Sequence, residues 1–256
     1  MFAPERQRLI IDLLNATGSV SVSKLSEKLG VTEETVRRDL EKLEEQELLR
    51  RTHGGALPID EGSNELSLSK RKSTNIESKM LLAKTAVAII ATGDTIFLDA
   101  STTTFFMAQE IKRLRLSITV ITNSLRVINE LSDCESVKLI GIGGLVCQNQ
   151  SFVGRFAENS IEENYFANKM FFSGKGMMRG KGILESNEQE CAIKKLMMKN
   201  STDRYFLCDK SKIDRVGFIK LTDPEEIKGI ITDACLDEDW KAELEELGVE
   251  IIPCKL

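Results

Sequence analysis

From residue 77 onward, short apolar runs alternate with longer amphipathic runs, and this alternation limits the possible folds more than any other feature of the sequence. Strand-length runs separated by helix-length runs are typical of units in which a helix returns the chain to a parallel strand. We therefore predict an α/β domain with a mainly parallel sheet over residues 77–256. The predicted strands are Thr95–Leu98, Ile118–Ile121, Val137–Ile140, Met170–Phe172, Tyr205–Leu207, Gly229–Thr232 and Val249–Ile252, and the predicted helices include Glu77–Ile90, Thr103–Leu114 and Glu188–Lys199.

The first 57 residues predict a different and smaller domain, a winged helix-turn-helix. Apolar residues recur at helical spacing in three short segments, and a glycine follows each of the first two. Thr32 fits an N-cap, because acidic residues in the turn after it favour the helix dipole. The run Leu48–Ala56 then changes to strand residues and a glycine pair, which predicts a β-wing. The predicted inward residues are Ile10, Leu13 and Leu14, then Val22, Leu25 and Leu29, then Val36, Leu40 and Leu43.

Between the two domains, residues 58–76 predict a linker. This stretch contains Pro58, Gly62 and many Ser, Asn and Lys residues, and its few apolar residues show little periodicity. We therefore place the domain boundary here.

The second and third predicted helices have the spacing of a helix-turn-helix, in which the second of the two enters the DNA major groove. Arginine near the start of that helix can bond guanine O6 and N7, and glycine in the wing lets the backbone approach phosphates. The alternative is a set of solvated charges, since paired arginines on a helix are usually surface residues. The candidate DNA contacts are Thr32, Glu34, Thr35, Arg37 and Arg38 in the helix, and Arg50, Arg51, His53 and Gly54 in the wing.

The net charge of −5 at first argues against a nucleic-acid partner, because overall basicity is the usual signature of one. The local distribution matters more, since the arginine pairs at 37–38 and 50–51 concentrate positive charge in the first domain. No apolar stretch has the length of a membrane span, and no secretion signal begins the sequence. We therefore expect a soluble, cytoplasmic protein without a membrane partner.

The strongest chemical signal in the α/β domain is the run Phe97–Thr104, a strand that ends at small hydroxyl residues before a helix. Hydroxyls and free backbone N–H groups at a helix start bind anions, and phosphate is the natural ligand. The alternative is N-capping by Ser101 or Thr102 without a ligand. Further polar or glycine-rich loops follow other strands, at the edge where open α/β sheets bind ligands. These loops are Thr122–Ser124, Gly143–Gly144, Ser173–Gly176 and Asp209–Lys212.

Both domains closely resemble the DeoR family of transcriptional repressors. The N-terminal resemblance rests on Glu5–Gln7, Gly18–Val20, Thr35–Leu40, Leu48–Arg51 and His53–Gly55. The resemblance implies a repressor of a sugar-metabolism operon, with a ribose-5-phosphate-isomerase-like sensor domain. It implies operator DNA and a phosphorylated sugar effector as partners, and a homo-oligomer, either a dimer or a tetramer.

Carried over by position, the resemblance also implies roles for individual residues. In the recognition helix, Asp39 would orient the neighbouring arginines, and an intrahelical ion pair is the equal alternative. In the sensor domain the implied effector-binding residues are Asp99, Ser101, Thr102, Thr103, Asn123, Gly144, Gly154, Lys175, Glu190, Lys194 and Lys212.

One departure from the family pattern concerns the loop after the fourth strand. Many members have Gly-Ala-Asp-Gly there, whereas this chain has Ser-Gly-Lys-Gly at 173–176. The ammonium of Lys175 could bind a second acidic group on the effector, or it could be a surface lysine.

A sugar-phosphate isomerase that carries an accessory DNA-binding domain is the alternative function. Asp99 and Glu190 are its candidate carboxylates, but Lys175 replaces the carboxylate that isomerase-like relatives have at this place. The only histidine lies in the predicted wing, so we expect no catalytic triad and no catalytic residue. Six scattered cysteines without a C-x-x-C pair predict no metal site, and we expect no cofactor.

A module that acts only through protein partners is the third possibility. The acidic helix predicted over 237–247 could be its docking face. Trp240, Leu244 and Leu247 form an apolar stripe on that helix, and the stripe is explained more simply by packing on the sheet.

Overall fold

The computed structural model describes residues 3–17, 19–46, 48–52, 54–57 and 68–254. The chain divides into two compact units, Met1–Lys70 and Arg71–Leu256, and the described residues form one apolar core in the first unit and two in the second. The first is a winged helix-turn-helix and the second an α/β domain, so the predicted fold class is confirmed.

The N-terminal unit contains the three predicted helices and the predicted wing. Its elements are α1 (Ala3–Thr17), β1 (Val20–Ser21), α2 (Val22–Leu29), α3 (Glu33–Glu45), β2 (Arg50–Thr52) and β3 (Gly55–Leu57). The predicted inward residues form one core, in which Leu13 alone among them is only partly buried. The sequence analysis missed β1, which pairs antiparallel with β3 and makes the wing a sheet of order β1-β3-β2.

Local residue types explain where α2 begins and ends and where α3 begins. The Ser21 hydroxyl accepts a hydrogen bond from the Lys24 N–H at the start of α2, and Gly30 ends that helix with a φ of 65°. At the start of α3, the Thr32 hydroxyl accepts a hydrogen bond from the Thr35 N–H at 3.3 Å. Thr32 is therefore the N-cap that the sequence predicted, and its hydroxyl also stabilises the helix that carries the arginine pair.

Seven parallel strands form the main sheet of the C-terminal unit, and each corresponds to one of the seven predicted runs, although the last strand begins one residue after the predicted Val249. In sheet order they are β15 (Glu250–Pro253), β14 (Gly229–Thr232), β12 (Ser201–Cys208), β9 (Ala167–Phe172), β4 (Thr95–Leu98), β5 (Ile118–Thr122) and β6 (Val137–Gly141). The helices are α4 (Leu68–Ser73), α5 (Ile76–Val87), α6 (Thr102–Leu114), α7 (Leu125–Leu131), α8 (Arg155–Asn164), α9 (Glu188–Lys199) and α10 (Glu238–Glu246).

The sequence analysis did not predict two small antiparallel sheets of this unit. One pairs β7 (Leu145–Val146) with β8 (Phe152–Val153), and the other joins β10 (Gly176–Met178), β11 (Gly182–Glu185) and β13 (Ile219–Thr222). These strands have two to four residues, too few for a periodic pattern to stand out.

Adjacent residues of the central strands face opposite sides of the sheet and enter two separate cores. Phe97 packs in one core, and the next residue, Leu98, packs in the other. Trp240 and Leu244 of α10 are buried in the first core, which confirms that the stripe of this acidic helix packs inward. Helices therefore cover both faces of the sheet, and the ends of its strands are left as the place for a ligand.

The described part of the predicted linker over 58–76 contains helical residues. Residues 68–73 form α4 and Ile76 begins α5, whereas residues 58–67 lie outside the described part of the chain. The reason is the buried ammonium of Lys79, which donates hydrogen bonds to the carbonyl oxygens of Thr74, at 2.6 Å, and of Arg71. Lys79 thereby ties the end of α4 to α5.

Candidate nucleic-acid interface and effector site

Among the predicted DNA-contacting side chains of α3, Glu34, Arg37 and Arg38 are exposed and Thr35 is half-buried. The Arg38 side chain is 73% exposed and its Nε lies 3.4 Å from the Glu34 carboxylate. The Arg37 side chain is 49% exposed and donates a hydrogen bond at 2.8 Å to Glu33, one turn earlier. Pairs of this kind on an open helix surface contribute little stability, so DNA phosphates can replace the glutamates at small cost.

Asp39 differs from both sequence expectations. It is 3% exposed, and its carboxylate accepts hydrogen bonds from Arg6 Nε at 2.5 Å and from Gln7 Nε2 at 3.0 Å. Asp39 therefore holds α1 against α3, and it neither orients the neighbouring arginines nor forms an intrahelical ion pair. The reason is helical geometry: Asp39 lies between Val36 and Leu40 on the buried face, opposite the exposed arginines.

In the wing, Arg50 is exposed and Arg51 is half-buried. The Arg51 N–H donates a hydrogen bond to Glu44 Oε1 at 2.8 Å, and its guanidinium lies 3.7 Å from Glu41, so this residue also ties the wing to α3. His53 lies outside the described residues. Gly54 is exposed and has open space around its Cα, as a close backbone approach to DNA requires.

The adjacent Gly55 has a structural reason to be glycine. A Cβ at this position would lie 1.9 Å from the carbonyl oxygen of Val20. The pairing of β3 with β1 therefore excludes any side chain here. Of the two neighbouring glycines, one is open to solvent and the other is required by the fold.

At the carboxyl end of β4, Asp99 is completely buried and makes internal bonds only. Its carboxylate accepts hydrogen bonds from the Ser101 N–H at 3.0 Å, the Thr104 hydroxyl at 2.8 Å and the Ser173 N–H at 3.0 Å, and it lies 3.1 Å from Lys194 Nζ. Burial alone would raise the pKa of Asp99, but the Lys194 charge and these hydrogen bonds hold it below its usual range. Asp99 is therefore an ionised group that shapes the loop before α6.

Lys194 lies at the centre of a buried ionic network. Its ammonium contacts Asp99, donates a hydrogen bond to Glu185 and donates another to the Ser173 carbonyl at 2.7 Å. Burial alone would lower the pKa of Lys194, but the two carboxylates raise it well above its usual value. Among the predicted effector residues, Asp99 and Lys194 thus bind each other.

The hydroxyl residues at the start of α6 divide into two roles. Ser101 is the N-cap and accepts a hydrogen bond from the Thr104 N–H at 3.2 Å, as the capping alternative predicted. Thr103 is fully buried, and its hydroxyl has no hydrogen-bond partner among the described residues. A buried polar atom without a partner is rare in folded proteins, and beside a helix N-terminus it is well placed to bond an anion. Thr102 is 5% exposed at the same end.

Two further predicted polar residues are Asn123, directly after β5, and Glu190, in the first turn of α9. Asn123 donates a hydrogen bond to the Phe152 carbonyl at 3.0 Å, and its buried Oδ1 has no partner in the described part of the chain. Glu190 accepts hydrogen bonds from the Ser151 hydroxyl and, at 3.5 Å, from the Cys147 thiol. Burial raises the pKa of Glu190, although Lys194 and Ser151 oppose the shift.

Two predicted lysines come from loops at neighbouring strand ends. The Lys212 ammonium donates a hydrogen bond to the Ser173 hydroxyl and lies 3.8 Å from Asp209. Lys175 is half-buried, and its N–H donates a hydrogen bond to the Leu184 carbonyl at 2.8 Å.

Backbone conformation at Gly154 and close packing at Gly144 explain why these two predicted site residues are glycines. Gly154 has a φ of 84° at the N-cap of α8. A Cβ on Gly144 would lie 2.8 Å from the Val153 carbonyl oxygen. Both positions therefore favour glycine whether or not a ligand binds nearby.

Three cationic residues of this region were missed by the sequence analysis. Arg126 of α7 and Lys79 of α5 are 6% and 4% exposed, and Arg71 of α4 donates a hydrogen bond to Asn149 at 2.6 Å. Burial, followed by the charge of Lys212, lowers the pKa of Lys79 to about 8. Arg71 was missed because it lies in the predicted linker. Lys79 was missed because it lies in the predicted helix Glu77–Ile90, whose sequence is that of an ordinary amphipathic helix.

In the described residues, no group of three or more His, Cys, Asp or Glu side chains could hold a metal ion. The search of those residues also finds no helix with the length and apolarity needed to cross a membrane.

Family models match both units of the chain. Residues 6–61 match a DeoR-like helix-turn-helix domain, and residues 74–234 match the DeoR C terminal sensor domain. A helix-turn-helix joined to a sensor domain defines the class of this protein as a transcriptional regulator. The chain belongs to the DeoR family.

Similar proteins match over nearly their whole length. The HTH-type transcriptional regulator YulB of Bacillus subtilis is 39% identical over 98% of this chain and 96% of the relative. The HTH-type transcriptional regulator GlpR of Haloferax volcanii is 34% identical over 98% of each chain. The lactose phosphotransferase system repressor of Streptococcus mutans is 37% identical over 92% of this chain and 93% of the relative.

Solved structures with related folds are more distant. Ribose 5-phosphate isomerase A from Methanocaldococcus jannaschii matches with 17% identity over 55% of each chain and a TM-score of 0.41. Translation initiation factor eIF-2B from Pyrococcus horikoshii matches with 14% identity over 89% of this chain and 85% of that chain, with a TM-score of 0.44. This degree of structural similarity does not support any conclusion about activity.

Proposed function

We propose that this regulator represses a sugar-metabolism operon and leaves its operator when a phosphorylated sugar binds at the carboxyl edge of the parallel sheet. The observation that carries the proposal is the unpartnered, fully buried Thr103 hydroxyl at the N-terminus of α6. The ammonium groups of Lys79 and Lys212 add positive charge to this region, and anions bind where a helix N-terminus and cations coincide. The name of the Streptococcus mutans relative, lactose phosphotransferase system repressor, supports the same function.

On the DNA side, we propose that the exposed part of α3 enters the major groove. Arg38 and Thr35 contact bases or phosphates there, while Arg50, Arg51, His53 and Gly54 of the wing contact the backbone. Thr32 and Glu34 support the start of the helix, since Thr32 caps it and Glu34 lies beside Arg38. The effector must bind the free and DNA-bound states with different affinities in order to act, and induction and corepression differ only in the sign of that difference.

The experiment starts from a DNA site selected by the purified chain from random sequence. A thermal-shift screen of sugar phosphates identifies a ligand, and gel-shift titration with that ligand measures operator release. We expect at least one sugar phosphate to raise the midpoint of unfolding and to weaken DNA binding. Failure to select any DNA sequence, or a full screen without a binding sugar phosphate, contradicts the proposal.

We further propose that the sensor domain binds its ligand without isomerising it. The Asp99 carboxylate is held by Lys194 and three hydrogen bonds, and Glu190 is hydrogen-bonded to Ser151, so neither is placed to move a proton on a substrate. A coupled assay of aldose-ketose conversion by the purified protein tests this, and turnover above the buffer rate would establish an enzyme.

We propose that the regulator acts as a homo-oligomer through its sensor domain. Leu145, Val146 and Phe156 are 64%, 52% and 86% exposed, and apolar surface of this kind is usually covered by a partner. Light scattering after size exclusion measures the mass. We expect a dimer or tetramer for the natural chain and a smaller species for Phe156→Asp.

A further inference from the structure

Arg126 of α7 is a buried cation that the fold uses only in part. It is 6% exposed, and its Nη2 donates hydrogen bonds to the carbonyl oxygens of Ala100 at 3.1 Å and Ser101 at 3.3 Å. Its Nε and Nη1 are buried and have no hydrogen-bond partner among the described residues. A guanidinium has five N–H donors, so donors remain unused inside the protein, where an unpaired polar group is costly.

The bonded end of this guanidinium lies at the proposed anion site. Ala100 and Ser101 belong to the loop between β4 and α6, and Ser101 is the N-cap of α6. The Cζ of Arg126 also lies 5.2 Å from the centre of the Phe105 ring, on the same helix. A guanidinium held by two carbonyls and an aromatic face is already oriented before a ligand arrives, and such preorganisation favours binding.

The carboxylates nearest in charge to Arg126 do not use its free donors. The two whose charges act on it are Asp99 and Glu190. Asp99 pairs instead with Lys194 at 3.1 Å. Glu190 accepts its hydrogen bond from Ser151. Within the described residues, Nε and Nη1 therefore have no internal anion, and a ligand from outside can supply one.

Other cations act on the same place. Burial lowers the pKa of Lys79, and the charges of Lys212, Arg71 and Arg126 lower it further, so these three groups lie within electrostatic range of one ammonium. Burial, followed by the charge of Arg71, likewise lowers the pKa of Arg126. Like charges that are buried together repel each other, and a bound anion relieves that repulsion. The cations therefore surround one anion site.

Thr103 adds a further unused donor at the start of α6. Its hydroxyl is fully buried and has no hydrogen-bond partner in the described part of the chain. Thr103 and Arg126 together offer three unused donor atoms, namely the hydroxyl oxygen, Nε and Nη1. A phosphate monoester has three terminal acceptor oxygens, whereas a carboxylate has two. A phosphodiester also has only two such oxygens. The number of unused donors therefore matches a phosphate monoester.

We propose that Arg126 binds the phosphate of the effector directly through Nε and Nη1, and that this contact makes the site selective for a phosphate monoester over a carboxylate or a phosphodiester. This inference rests on the proposed function, in which a phosphate binds at the start of α6. The planar guanidinium contacts two phosphate oxygens at once, and the Thr103 hydroxyl donates to the third.

Three small anions test the inference without knowledge of the sugar. Methyl phosphate is a monoester, dimethyl phosphate is a diester and acetate is a carboxylate. Thermal unfolding of the full chain at constant ionic strength gives an apparent Kd for each anion. We expect methyl phosphate to raise the midpoint of unfolding and to bind about 10-fold or more tightly than the other two.

Two substitutions of Arg126 separate its charge from its geometry. Arg126→Met should weaken methyl phosphate binding about 10-fold or more. Arg126→Lys keeps the positive charge but supplies one nitrogen instead of two, so it should also reduce the preference for methyl phosphate over dimethyl phosphate. A purely structural role would lower the midpoint of unfolding without added anion and leave the relative affinities of the three anions unchanged.

Arg204→Met is the matched control, because this arginine also bonds main-chain carbonyls, of Met198 and Glu226, but at another place in the domain. It should leave the preference for methyl phosphate intact. If Arg126→Met does not fold, as judged by circular dichroism, Arg126→Lys decides, since it keeps the buried charge.

Equal binding of the three anions by the natural chain, or the native preference in the folded Arg126 variants, overturns the inference. A sugar phosphate that releases the operator and binds Arg126→Met with native affinity overturns only the role of Arg126. Failure of every sugar phosphate to bind the natural chain overturns the proposed function as well.

Discussion

Arg6 in α1 donates a hydrogen bond to Asp39 in α3 at 2.5 Å, and both side chains are almost completely buried. The pair joins two helices of a small domain whose described residues form one apolar core. A buried ion pair of this kind fixes the position of α3 against α1.

Asp39→Ala should destabilise the N-terminal unit by about 3 kcal/mol, because it leaves the Arg6 guanidinium buried without its partner. Glu41→Ala is the control, since Glu41 is exposed and lies 3.7 Å from Arg51. We expect a change below about 1 kcal/mol for it. Urea unfolding followed by circular dichroism measures both, and equal effects would contradict a special role for the buried pair.

Arg38→Ala should weaken binding to the selected operator about 10- to 100-fold if this arginine contacts a base. The slope of affinity against salt concentration separates the possible roles, because the loss of a phosphate contact lowers that slope by about one. Lys199→Ala removes an exposed positive charge from the sensor domain and should leave affinity unchanged. Gel-shift titration at several salt concentrations gives these values, and native affinity in Arg38→Ala would remove this residue from the interface.

The two glycines of the wing should respond differently to alanine. Gly55→Ala places a Cβ 1.9 Å from the Val20 carbonyl oxygen and should destabilise the unit by about 2 kcal/mol or more. Gly54→Ala meets open space and should change stability by less than about 0.5 kcal/mol while weakening DNA binding. Thermal unfolding and gel shifts of the two variants test this difference, and a tolerated Gly55→Ala would contradict the strand pairing.

Lys194→Met should destabilise the sensor domain by about 3 kcal/mol, because Asp99 and Glu185 would remain buried without their shared cation. The neighbouring Lys195 is exposed on the same helix, so Lys195→Met should have almost no effect. Denaturant unfolding monitored by circular dichroism compares the two variants. Similar stability of Lys194→Met and the natural chain would show that the ionic network contributes nothing.

Binding of the anionic effector should weaken as pH rises through about 8. Burial and the charge of Lys212 lower the pKa of Lys79 to about 8, so the free protein loses this positive charge above that pH. A bound anion favours the protonated ammonium, and binding near pH 8 should therefore take up a fraction of a proton. The groups that face Lys79 are Lys212, Asp209, Arg71 and Arg126.

Titration calorimetry in buffers of different ionisation enthalpy measures that proton uptake directly. Lys79→Met should abolish it and flatten the dependence of affinity on pH. A heat of binding that is independent of the buffer at pH 8 would contradict the assignment of this lysine to the site.

The sequence alone determined the architecture of both units. Seven apolar runs identified the seven strands of the parallel sheet, because strands that are buried on both faces consist mainly of apolar residues. Helical periodicity and Thr32 located the recognition helix, since a local N-cap depends only on residues three positions apart. The hydroxyl residues at the start of α6 stood out because they follow a strand and precede a helix, where anions bind.

Only the tertiary structure decided what the charged residues do. Asp39 pairs with Arg6, 33 residues earlier in the chain, and no local sequence pattern indicates a contact between residues so far apart. Asp99 and Lys194, both predicted to meet the effector, bond each other inside the domain. Arg126 looks like an ordinary helix residue until folding buries it with two donors unused. Apolar periodicity is a local property of the chain, whereas the partner of a charge depends on which distant elements pack around it.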